Sequence, residues 1–178
     1  MSSPLPLSTR ERKQLFKIAA ATPRAVESML FGLSSQQLLC RPKTGLSLHE
    51  LSLHEQVWHL ADLEVFGFKK RFNAILSEER PLLEDFDGDA VAAERNYHSL
   101  SLQQAFHLFS ETRLQNLWLL SGINPADWMR RGEQQGLGVV NLADVFRSMA
   151  AHDRAHLSEI ETILHGDSAA GHSTIVAA

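Results

Sequence analysis

Apolar residues recur along this chain at three- and four-residue steps through four long stretches, with polar or turn-forming residues between them. That period is helical, and each stretch buries one face. The first stretch opens at Ser8 and continues to about Ala21. Thr22-Pro23 then reads as an N-cap followed by proline at the first helical position, restarting a helix through Met29 and Leu30. Ser34 caps one short turn before the Arg41-Pro42 loop. A tandem repeat follows, Leu46-Ser47-Leu48-His49-Glu50 and then Leu51-Ser52-Leu53-His54-Glu55, and each copy holds a Ser-x-x-Glu capping box. The second long helix therefore starts at Ser47 or Ser52, with Ser52 preferred, and runs to about Ser77 before Pro81. Acidic residues 81–89 form a connection, and a helical stretch spans Ala90 to Tyr97. Ser101 caps a third long helix to about Leu120, which Gly122, Asn124 and Pro125 terminate. Residues 127–140 lack clear periodicity and read as a loop. Asn141 caps the last long helix, which ends near His165-Gly166.

Runs of alternating β-branched residues bounded by hairpin turns are missing, so no strand set is expected. The pattern predicts an all-α four-helix bundle with a long crossover between helices 2 and 3. It predicts a single domain over residues 1–178, with a core from about 8 to 165 and a loosely held tail over 166–178.

Composition changes this picture little. Hydrophobic content of 44% and charged content of 21% are those of an ordinary globular protein. The lone Cys40 excludes an internal disulfide and fits a reducing compartment. Neither a signal-peptide pattern nor a membrane-length apolar run is present, so the expectation is a cytoplasmic protein with no membrane partner. A net charge of -4 argues against nucleic acid, and the densest basic run, Lys69-Lys70-Arg71, reads as a solvated helix face.

The histidines carry the chemistry. His152 and His156 stand four residues apart on the last helix, which aligns their rings to within about 40°. They share a stripe with Val145, Met149 and Ile163, and Glu159 lies about 20° from His152. On the second helix His59 shares its stripe with Leu63 and Phe66. For one inward-facing histidine, a core ring satisfied by ordinary hydrogen bonds is the better reading. An aligned pair plus a third ring on a facing helix points instead to a divalent metal, with coordination positions left for water or substrate. Other metal patterns fail: Trp58 occupies the second histidine position of a zinc-protease motif, and no Glu-x-x-His occurs.

The run Leu51-Ser52-Leu53-His54-Glu55-Gln56-Val57-Trp58-His59-Leu60-Ala61-Asp62-Leu63-Glu64 resembles the second-helix signature of the DinB-like (YfiT-like) superfamily. His152-Asp153-x-x-His156-Leu157 is similar to its final-helix signature, and Phe109 with Arg113 and Asp127-Trp128 also fit. Leu51 stands where the family has tryptophan, and the loop around Glu133-Gln134 lacks the histidine that some members carry. The resemblance implies a four-helix bundle, often a homodimer, holding a divalent metal through His59, His152 and His156. It also implies either transfer of a low-molecular-weight thiol or metal-dependent hydrolysis.

The expected function is a metal-dependent thiol S-transferase, with zinc or nickel as the metal and a small-molecule thiol and an electrophile as partners. The alternatives are a hydrolase that activates water on the metal, and a non-catalytic dimeric bundle tied by its metal. Glu159 is the candidate to orient a ligand histidine, with Asp62 in a similar role. Arg113 is a candidate for binding an anion, with a helix-to-helix salt bridge as its other use. Asp153, about 100° from His152, reads as a surface or interface group.

Overall fold

The computed structural model describes residues 6–41 and 51–170, with the backbone alone for 166–170. In chain order it has α1 (Thr9–Leu30), α2 (Ser35–Leu39) and α3 (Leu53–Asp62). A π-helical turn (Leu63–Lys69) passes directly into α4 (Lys70–Ser77), so α3 and α4 form one composite second helix. The crossover holds β1 (Leu82–Leu83) and α5 (Gly88–Arg95), and α6 (Leu102–Ser121) follows. A hairpin of β2 (Arg131–Gln134) and β3 (Gly138–Asn141) leads into α7 (Leu142–Ala170). α1 packs against α6 and α7, and the composite helix packs against the same two. The four long helices therefore close a bundle with α1 and the composite helix on one diagonal.

Local chemistry explains most boundaries. The Ser52 side chain accepts from the Glu55 amide while Glu55 accepts from the Ser52 amide at 2.9 Å, so the preferred start of the second helix is the observed one. The other copy of the repeat, with Ser47, lies outside the described residues. Asn141 and Asp144 cap α7 reciprocally, at 2.8 and 3.1 Å. Ser34 and Gln37 cap α2 reciprocally as well, while Asp87 and Ser101 cap α5 and α6 by accepting from the amides of Ala90 and Gln104. The crossover helix begins at Gly88, slightly ahead of the expected Ala90, and Asn96 closes it in the left-handed region at φ 50°. α7 runs on through Ala170, beyond the expected end at His165-Gly166.

Three expectations are corrected. First, α1 does not break at Thr22-Pro23; it continues with Pro23 inside. Proline removes the donor for the Ala19 carbonyl, and the Arg113 guanidinium supplies one at 2.8 Å. Second, a three-stranded sheet exists: β1 pairs parallel with β2, and β2 pairs antiparallel with β3. It fastens the crossover to the loop before α7, and its strands are too short to leave an alternating signature.

Third, the π-helical turn re-phases the second helix. A π insertion accommodates one extra residue, so residues beyond it lag by about 100°. Phe66, expected on the buried stripe of His59, is 43% exposed, whereas Arg71, expected in a solvated face, is 8% exposed. In an unbroken α-helix Arg71 would sit about 120° from His59; with one inserted residue it comes to about 20°.

The core is split by a polar layer. One apolar cluster gathers Leu15, Phe72, Leu117, Phe146 and Met149; the other gathers Val26, Trp58, Tyr97, Phe109 and Ile160. Between them in sequence on every long helix lie buried polar residues: Thr22 on α1, Glu64 in the π turn, Arg113 and Asn116 on α6, and Asp153 with His156 on α7. Arg113 donates to Asp153 at 2.6 and 2.9 Å and to Glu64 at 2.8 Å, while Thr22 donates to Asp153 at 2.8 Å. Asn116 donates to the other Glu64 oxygen at 2.7 Å. Burial opposes the charge on Arg113, but Glu64 and Asp153 outweigh it and raise its pKa above the usual arginine value.

Candidate metal centre

His59 enters the bundle from α3, and His152 and His156 enter from α7 one helical turn apart. His59 is 3% exposed, His156 2%, and His152 is half-buried. Their Nε2 atoms converge: His152 Nε2 lies 3.5 Å from that of His59 and 3.2 Å from that of His156. One ligand atom from each ring lies within 4.8 Å of the other two, and among the described residues no other His, Cys, Asp or Glu joins the cluster. A tetrahedral ion with bonds of about 2.0–2.1 Å would space its nitrogens about 3.3–3.4 Å apart. The separations fit that spacing.

The donor chemistry fits as well. His156 Nδ1 faces two acceptors, Gln56 Oε1 at 3.2 Å and Glu159 Oε2 at 3.4 Å. That pairing puts the proton on Nδ1 and turns the Nε2 lone pair toward the cluster, the tautomer a metal requires. Gln56 was not a sequence candidate. It lies three residues before His59, and only its place opposite His156 reveals it.

The crossover roofs His59. A Cβ added to Gly88 would lie 2.5 Å from His59 Cε1 and 2.8 Å from its Nδ1, so only glycine fits against the ring. Phe86 packs edge-on to the same ring at 5.8 Å, and Phe68 packs edge-on to His152 at 6.3 Å. Gly88→Ala is therefore expected to push the His59 ring out of register and weaken metal affinity about ten- to a hundredfold. The metal-free protein should also melt somewhat lower than wild type, because the buried ring must give way to the added methyl, an overpacking cost of about 1–3 kcal/mol. Metal titration and thermal melting check the two halves separately.

Other sequence candidates fall elsewhere. Asp62 is fully buried and accepts from Arg95 and, at 2.7 Å, from the Tyr97 hydroxyl. It holds the crossover to α3, as does His54 Nε2 at 3.0 Å from the Tyr97 carbonyl. Burial, then the contact with Asp62, raises the Tyr97 pKa. Arg113, 2% exposed, spends its terminal nitrogens on the polar layer rather than on an open site, which is the salt-bridge use. Asp153 is fully buried instead of lying at the surface. α7 packs against α1 as well as the composite helix, so its buried arc is wider than one stripe. Cys40 is exposed and plays no part in the cluster.

A cavity of about 190 Å³ opens beside the rings, lined by His59, His152, Phe68, Arg71, Phe86 and Gly88 among others. A groove of about 600 Å³ adjoins it and shares Arg71, Asp85 and Phe86. Space for a small molecule thus reaches the accessible side of the cluster. Among the described residues no helix is long and apolar enough to cross a membrane.

Comparison with known proteins agrees with this architecture. YfiT from Bacillus subtilis, described as "a probable metal-dependent hydrolase with an unusual four-helix bundle topology", superposes with a TM-score of 0.83. The match covers 94% of each chain at 15% sequence identity, a likeness of fold. No curated protein matches by sequence. The family model of the DinB superfamily matches residues 19–160, a span that contains all three converging histidines. The chain belongs to the DinB superfamily.

Proposed function

We propose that the protein is a divalent-metal-dependent enzyme whose ion is held by His59, His152 and His156 and which transfers a low-molecular-weight thiol to an electrophile. The observation that supports it is the convergence of three Nε2 atoms at the edge of a small cavity. Zinc or nickel suits an all-imidazole set. When bound, such an ion supplies Lewis acidity, lowering the pKa of a thiol or a water placed against it. Gln56 and Glu159 orient His156, Gly88 and Phe86 fix His59, and Leu63, Phe68 and Phe86 supply the apolar part of the cavity wall.

Hydrolysis is the second reading, and one observation favours it: Asp85, a carboxylate of the kind that serves as general base, lines the same cavity. YfiT, which shares the fold, is described as "a probable metal-dependent hydrolase". The test is turnover of a generic electrophile and a panel of activated esters and amides by metal-loaded protein, with and without added thiol. Turnover of the electrophile that requires both metal and thiol is expected. Thiol-independent ester or amide cleavage, lost in Asp85→Asn, would replace transfer by hydrolysis.

A further inference from the structure

Among the described residues, Arg71 is the one lysine or arginine that lines both the cavity beside the rings and the groove outside it. Its side chain is 9% exposed, yet it has nothing like the paired acceptors of Arg113. One terminal nitrogen donates to the Glu84 carbonyl at 3.1 Å. The same nitrogen lies 3.7 Å from Asp85, a carboxylate whose side chain is 70% exposed and can swing away. Arg71 Nε is buried with no hydrogen-bond partner. A buried guanidinium donor in that state is costly, and it reaches this position because the π-helical turn re-phases the helix. Burial, only partly offset by Asp85, also holds the Arg71 pKa below the usual arginine value.

The other cations of the groove are engaged. Lys70 lies over the Phe66 ring, and Arg95 is paired with Asp62 and stacked on Trp58. We infer, resting on the metal-enzyme reading above, that Arg71 receives a carboxylate of the small-molecule substrate or thiol cofactor and turns its reactive end toward the three histidines. A planar carboxylate matches the edge of a guanidinium. The groove also carries Glu84, Asp85, Asp87 and Glu94 against Lys70, Arg71 and Arg95. A dianionic phosphate would meet about twice the repulsion there that a monoanion does.

The test uses matched probes: mercaptoacetate, 3-mercaptopropionate and 4-mercaptobutanoate, each against its neutral amide. They are titrated into metal-loaded and metal-free protein. At least one acid should bind wild type about tenfold or more tightly than its amide, the scale of one charged hydrogen bond. Arg71→Gln should bring that ratio to near one, and Arg71→Lys should keep part of it. The Arg71 Nε–H resonance of wild type should shift with the acid and not with the amide, a readout independent of any variant's folding. Equal affinities for acid and amide in wild type, or a preference unchanged in Arg71→Gln, would overturn the inference. Metal content is measured on the same samples. Wild type that takes up no metal defeats the enzyme reading, while the acid preference of metal-free protein still decides the role of Arg71.

Discussion

Replacing Arg113 by leucine should destabilise the protein by about 3–5 kcal/mol, most of the stability of a domain at the low end of the usual range of about 5–15 kcal/mol. The reason is what the change leaves behind. Glu64 and Asp153 are 1% and 0% exposed, and Arg113 is the cation that faces both. Without it, two carboxylates at the centre of the bundle keep only neutral donors, Asn116 for one and Thr22 for the other. The Ala19 carbonyl, already deprived of its helical donor by Pro23, loses its replacement as well. Neutralising the acceptors together, in Arg113→Met with Glu64→Gln and Asp153→Asn, should recover a large part of the loss, since buried ion pairs are often replaceable as a set. Chemical denaturation of the single and triple variants measures this. A single variant within 1 kcal/mol of wild type would show that the polar layer is not closed by Arg113 (about the scale of an exposed substitution).

Replacing His156 by alanine should abolish stoichiometric metal binding. It removes one of three converging nitrogens, on the ring whose far side faces both Gln56 and Glu159. Wild type with free metal at a hundred times its dissociation constant gains about 2.7 kcal/mol of stability from mass action. The variant at the same concentration should gain none. Its metal-free form should also fall below wild type, because Gln56, which is fully buried, loses the partner of its carbonyl oxygen. Elemental analysis and metal-dependent melting read these effects. Full metal content in the purified variant would remove His156 from the site.

Much of the fold is written locally. A helix start needs only a side-chain oxygen and an amide three residues on, so Ser8, Ser52, Ser101 and Asn141 mark all four long helices without knowledge of packing. The aligned pair His152 and His156 is equally local, a property of one helix face. Features that depend on neighbours were not legible. Pro23 looks like a helix start until Arg113, from a helix distant in sequence, supplies the missing donor. Asp153 looks exposed while α7 is assumed to bury a single stripe. The π-helical turn left one clue, Gly67, where a Cβ would lie 2.5 Å from the Leu63 side chain. That contact is with the end of a flexible side chain, which can turn aside, so even Gly67 does not fix where the helix changes phase. Arg71 therefore could not be placed by counting from His59 at a constant angle.

The central claim is that three imidazole nitrogens hold one metal ion with a coordination position facing the cavity. X-ray absorption at the metal edge of untagged, metal-loaded protein, with the metal content of the same sample, tests it most directly. One ion per chain with three imidazole nitrogens at about 2.0–2.1 Å and at least one exchangeable light-atom ligand is expected. A substoichiometric ion, or a first shell without histidine scattering, would contradict it.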